Sequence, residues 1–121
     1  MRNKRLEEVS RVERWGEERG LLMEEGTPNP EVHQQERYLY NDKSNSQMLK
    51  LMEEVGETAK ALAYNDADGL KDGIGDCVVV LIILAAQNGL TLEECMDAAW
   101  DEIKDRTGKL EDGFFKKDGD S

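Results

Sequence analysis

Two acidic blocks, Glu53-Glu54-Val55-Gly56-Glu57 and Asp72-Gly73-Ile74-Gly75-Asp76, interrupt segments whose other inward positions are apolar, and they constrain the fold more than anything else in the chain. On an α-helix, residues three or four apart share a face, with a rise of about 1.5 Å per residue. Glu53 and Glu57 then stack one turn apart, Glu54 lies beside Glu57, and Asp72 stacks with Asp76. If two such helices pack side by side, four or five carboxylates converge, which an interior tolerates only with a compensating cation. A divalent metal site is the economical explanation. For the glutamates alone, a solvated helix face is the bland alternative. The second block weakens it, because Asp76 abuts the apolar run 77–86 and is expected to be largely buried. Mg²⁺ prefers oxygen ligands and binds phosphates together with carboxylates.

Apolar periodicity predicts four helices. The first covers about 5–20, with Leu6, Val9, Val12 and Trp15 or Gly16 as its stripe, Trp15 being expected in the core. An irregular connection follows over 24–45, holding Pro28 and Pro30, with a helical turn around 32–40. The second helix is expected from Ser44 or Ser46, either of which can cap it, and fades at 65–69. The third runs from about Leu70 to Asn88 and is stopped by Gly89. Its Val-Val-Val-Leu-Ile-Ile-Leu core could be a buried strand, but its length and the lack of another convincing strand favour a buried helix. Thr91 and Glu94 form a capping-box pattern for the fourth, whose buried face would be Leu92, Cys95, Met96, Ala99, Trp100 and Ile103, ending near Gly108. From about 110 a charged tail is expected to dock through Phe114 and Phe115. The expected class is therefore all-α, a four-helix bundle-like single domain over 1–121.

Composition narrows the function. A formal charge of -11, from 16 Lys+Arg against 27 Asp+Glu, argues against a nucleic-acid polymer as ligand. It leaves room for a small phosphate compound beside a bound metal. An apolar share of 38% against 36% charged makes a thin core, so a partner subunit is expected. Cys77 and Cys95 read as buried thiols in a reducing compartment, and the single histidine, His33, disfavours a zinc site or a Ser-His triad. The N-terminus does not read as a signal peptide and the apolar run is too short to cross a bilayer, so a cytoplasmic protein without membrane contact is expected.

These motifs resemble the all-α nucleoside triphosphate pyrophosphohydrolases of the MazG-like group, particularly small members from phages and mobile elements. The string KLMEEVGETAKAL carries the family's Glu-Glu-x-x-Glu as Glu53, Glu54 and Glu57. In LKDGIGDCVVVLIILA, Asp76 matches the family aspartate, but the residue three before it is Gly73, not an acid. Asp72, one turn before Asp76, can supply the missing ligand. In AAWDEIKDRTGKL, Lys104 is retained, whereas Asp101 stands where asparagine is usual and cannot donate an amide hydrogen bond. The resemblance implies Mg²⁺-dependent hydrolysis of (d)NTPs between the α and β phosphates, with Mn²⁺ as a possible substitute, in a homodimer or homotetramer. It implies metal ligation by Glu53, Glu54, Glu57, Asp72 and Asp76, and catalytic roles for Glu54, Glu57 and Lys104. Glu54 is either a further ligand or the base for the attacking water. The alternatives are a diphosphatase specific for dUTP or a modified nucleotide, and a non-catalytic acidic helical module that binds nucleotide or protein.

Overall fold

A computed structural model of the chain describes residues 5–22 and 42–119. Four helices, α1 (Glu7–Glu18), α2 (Asp42–Ala63), α3 (Ala67–Gln87) and α4 (Leu92–Ile103), are followed by strands β1 (Gly108–Glu111) and β2 (Phe114–Lys117). The two long helices α2 and α3 form an antiparallel hairpin, with α1 and α4 packed on α3. Val9 of α1, Ala61 of α2 and Val80, Ile82, Ile83 and Ala85 of α3 make the core. Gly16 of α1 lets that helix approach Ile83, whose Cδ1 fills the space a Cβ would need.

Local chemistry fixes each junction. After α2, Asn65 adopts a left-handed φ of 56°. Asp66 then caps α3, its carboxylate accepting from the Gly69 N–H at 3.0 Å. That cap starts α3 about a turn earlier than the expected Leu70. At the other end Gly89 takes φ 74° and the Leu90 N–H returns to the Ala85 carbonyl at 2.9 Å. Gln87, only 7% exposed, receives the Ser44 hydroxyl at 3.0 Å and donates to the Leu21 carbonyl at 2.8 Å, tying the segment after α1 to both long helices.

The capping box is present: the Glu94 N–H donates to Thr91 Oγ1 at 3.1 Å and the Thr91 N–H to Glu94 Oε1 at 3.2 Å. Thr91→Ala is expected to cost about 1 kcal/mol, a fall in Tm of about 3–6 °C readable by calorimetry. Beside it, Glu93 Oε2 accepts from the Leu6 N–H at 2.9 Å and Arg5 Nε at 3.0 Å, joining the starts of α1 and α4. Burial alone would push the Glu93 carboxyl up, but the N–H groups of Leu6 and Glu93 and the Arg5 guanidinium hold it below its ordinary value of 4.5. A depressed folded pKa means stability that is present above the unfolded value and lost as pH falls through the folded one. As pH falls below the ordinary carboxylate value, Tm is therefore expected to drop more shallowly in Glu93→Gln than in the parent, from a lower start at pH 7.

Several expectations are corrected. The described part of α2 already begins at Asp42, and residues 23–41, with most of the expected connection, its helical turn and His33, lie outside the description. Helix α4 ends at Ile103, short of Gly108, and none of its residues is buried; Met96 and Trp100 are 60% and 56% exposed, so among the described residues that stripe is left uncovered. Trp15 is half exposed under the Arg19 guanidinium, 4.5 Å from its centroid, and is not core. Cys77 is half-buried and Cys95 exposed; both are free. The tail is a β-hairpin, its Asp112-Gly113 turn taking φ values of 51° and 82° as hairpin turns require. Its phenylalanines do not dock. Among the described residues, no single helix is long and apolar enough to cross a membrane.

Candidate active site

Rotation of α2 about its axis separates the three glutamates. Glu54 belongs to the stripe that meets α3 and is 6% exposed, whereas Glu53 and Glu57 are exposed. Lys50, one turn earlier, places Nζ 3.1 Å from Glu54 Oε1 and 3.7 Å from Glu53 Oε1. The Glu54 hydrogen bond, then the charges of Glu53 and Glu54, hold the Lys50 ammonium above its usual range. Glu54 Oε2 is buried and has no hydrogen-bond partner among the described residues. A buried carboxylate oxygen in that condition is costly and asks for a ligand.

One turn on, Thr58 donates its hydroxyl to the Glu54 carbonyl at 2.7 Å and lies against Gly73. Gly73 is buried there: a Cβ would stand 3.0 Å from Thr58 Cβ and 3.1 Å from Thr58 Cα. This close crossing turns Asp72 and Asp76 to one side of the seam. There they meet Glu57 in an open cleft of about 350 Å³, walled also by Lys60 and Tyr64. Asp76 is exposed, not buried as expected, because the side chains after it, not Asp76 itself, face the core.

The structure thus brings Glu57, Asp72 and Asp76 to one cleft, with Glu54 in the seam. Glu53 lies one turn away, outside the cleft lining. Lys104 also stands outside it, its Nζ 3.4 Å from Asp101. Among the described residues, no three His, Cys, Asp or Glu side chains stand close enough to enclose a metal ion. The donor chemistry nevertheless suits a hard cation: all are carboxylates, and Glu54 offers an unpartnered oxygen. Lys50 and Lys60 were not singled out from sequence, although their helical spacing from Glu54 and Glu57 was the signal available.

A family model for the MazG nucleotide pyrophosphohydrolase domain matches residues 42–110. The chain belongs to the MazG family. The match spans α2, α3, α4 and most of β1, and so takes in both acidic blocks. A relative from Haemophilus phage HP1 (strain HP1c1), an uncharacterized 18.2 kDa protein of the rep-hol intergenic region, is 40% identical over 80 residues. The alignment covers 66% of this chain but only 39% of the phage protein. No solved structure matches the chain.

Proposed function

We propose that this MazG domain is a Mg²⁺-dependent nucleoside triphosphate pyrophosphohydrolase, converting a (d)NTP and water to a nucleoside monophosphate and pyrophosphate. The observation that carries the reading is the shared cleft of Glu57, Asp72 and Asp76, with the orphaned Glu54 oxygen three residues before Glu57 on the same helix. Glu53, Glu57, Asp72 and Asp76 would hold the ion, Mn²⁺ being a substitute, and when bound it would neutralise polyphosphate and acidify water.

The chain's own groups do the rest. Water oxygen bonds to the attacked phosphorus as its bond to the α–β bridging oxygen breaks, and the electron pair leaves with pyrophosphate. Glu54 takes the water proton at its free oxygen, with Lys50 holding the other oxygen and so fixing the carboxylate. Glu57 orients the water from the cleft wall. Lys60 faces the phosphates from the same wall, and Lys104 steadies them from the end of α4. Substrate phosphate would compete with Asp101 for the Lys104 ammonium.

The reading includes a homodimer or homotetramer. Leu49 and Met52 on α2 are 73% and 67% exposed, and Ile74 on α3 is 54% exposed, apolar surface that a second copy would cover. Two free cysteines suit a reducing compartment, and the proposal includes a cytoplasmic enzyme.

Ion-exchange analysis of each common NTP, dNTP and dUTP, with and without Mg²⁺, tests the reaction. Monophosphate and pyrophosphate should appear only with Mg²⁺ and fall by about 10²–10⁴-fold in Glu57→Gln. Diphosphate with orthophosphate would refute the cleavage position, and no turnover across the panel would refute the proposed general (d)NTP activity.

A further inference from the structure

The cleft that holds Glu57, Asp72 and Asp76 has a second end, to which the hydrolase reading gives no task. Its wall also includes Tyr64, Asp66 and Gly69, at the turn between α2 and α3. The Tyr64 N–H still bonds the Lys60 carbonyl at 3.0 Å, so Tyr64 keeps the helical position two turns after Glu57. At helical rise that spacing sets the two ends about 10 Å apart, with Lys60 between them. Carboxylates for a cation, an ammonium for phosphate and an aromatic ring thus follow one another along a single wall.

The turn fixes the far end. Asn65 at φ 56° reverses the chain, and the Asn65 and Asp66 N–H groups return to the Leu62 and Ala61 carbonyls at 3.2 and 2.8 Å. Tyr64 is 76% exposed, which leaves its ring open for stacking. An exposed tyrosine alone is ordinary. Asp66 beside it supplies the second element. Its capping bond to the Gly69 N–H uses Oδ1, and among the described residues Oδ2 has no hydrogen bond or ion pair. Gly69 makes room for that oxygen, since a Cβ there would collide with Oδ2. The cap needs one oxygen, and the other is left as an acceptor on a residue of the cleft wall.

A carboxylate accepts hydrogen bonds and cannot donate them. An exocyclic amino group on a base, such as adenine N6 or cytosine N4, meets that requirement. An oxo group in its place, as in hypoxanthine or uracil, sets two acceptors against each other. Stacking is indifferent to the exchange, because every base has a π-face.

We propose that Tyr64 and Asp66 form the base subsite of the cleft, Tyr64 stacking on the base and Asp66 Oδ2 selecting amino-bearing over oxo-bearing nucleotides. This rests on the hydrolase reading above for the place of the phosphates, with Lys60 meeting the phosphate nearest the sugar.

Equilibrium binding of the α,β-methylene analogues of dATP, dITP, dCTP and dUTP in Mg²⁺ tests the subsite without turnover. Within each ring size the amino member should bind at least about tenfold more tightly than the oxo member. Asp66→Asn keeps a good helix cap but offers a donor as well as an acceptor, so both ratios should fall to within about twofold of one. The lost charge acts on both members of a pair and cancels in the ratio. Tyr64→Leu should weaken all four analogues about tenfold and leave the ratios as they are. Equal affinities within each pair, ratios that survive Asp66→Asn, or affinities that ignore Tyr64→Leu overturn the subsite, as does binding of none of the four. Hydrolysis of the four dNTPs, assayed alongside, separates the two ideas. Turnover without base selection removes the subsite and leaves the hydrolase, and selective binding without turnover does the reverse.

Discussion

Asp76→Asn is expected to lower Mg²⁺-dependent pyrophosphate release by about 10³-fold while leaving the metal-free melting temperature within about 3 °C of the parent. The first figure follows from removing a ligand to an ion whose charge stabilisation is worth several kcal/mol, at about 1.4 kcal/mol per tenfold. The second follows from exposure, because an exposed carboxylate with like-charged neighbours in its cleft contributes little to folding. The same substitution should remove the thermal shift that Mg²⁺ gives the parent, about 2.7 kcal/mol at a hundred times the dissociation constant. Steady-state turnover and a Mg²⁺ titration of Tm measure the two effects separately. A variant that retains both would place the metal elsewhere.

The largest stability effect is expected from Gly73→Glu, the change that restores the acid of the family pattern. A Cβ alone would crowd Thr58, and the carboxylate would be forced into the α2–α3 seam. Overpacking costs about 1–3 kcal/mol and an unpaired buried charge several more, against about 1 kcal/mol gained in helix propensity. A net loss of at least about 3 kcal/mol should appear as a lower urea midpoint, with reduced activity. Gly75→Ala is the control. No atom lies within 4 Å of its Cβ position, so it should stabilise by up to about 1 kcal/mol. A Gly73→Glu protein as stable as the parent would refute the tight crossing. Position 73 is packing surface against Thr58 at the edge of the cleft, and Asp72 beside it lines the same cleft.

Much of this was legible in the residues. The acidic spacing placed Glu53, Glu54 and Glu57 on one helix and Asp72 and Asp76 on the next, and the Thr91–Glu94 box marked the start of α4. The Asp112-Gly113 pair was a hairpin signal of the same local kind, outweighed by reading the charged C-terminus as a tail. Asp66 was likewise an available cap.

The chain's order of residues determined what is local: which positions share a helix face, where helices are capped and turned, and which residue types can ligate a hard cation. Periodicity and capping involve neighbours within a few residues, so they are written in the sequence itself. The tertiary structure decided how far each helix is rotated and against what. It buried Glu54 and exposed Asp76, made Gly73 a contact between helices, and left the apolar stripe of α4 and both phenylalanines in solvent. A helical pattern specifies a face but not its neighbour. Among the described residues, only the close approach of α2 and α3 fixes which face is covered and which stays exposed.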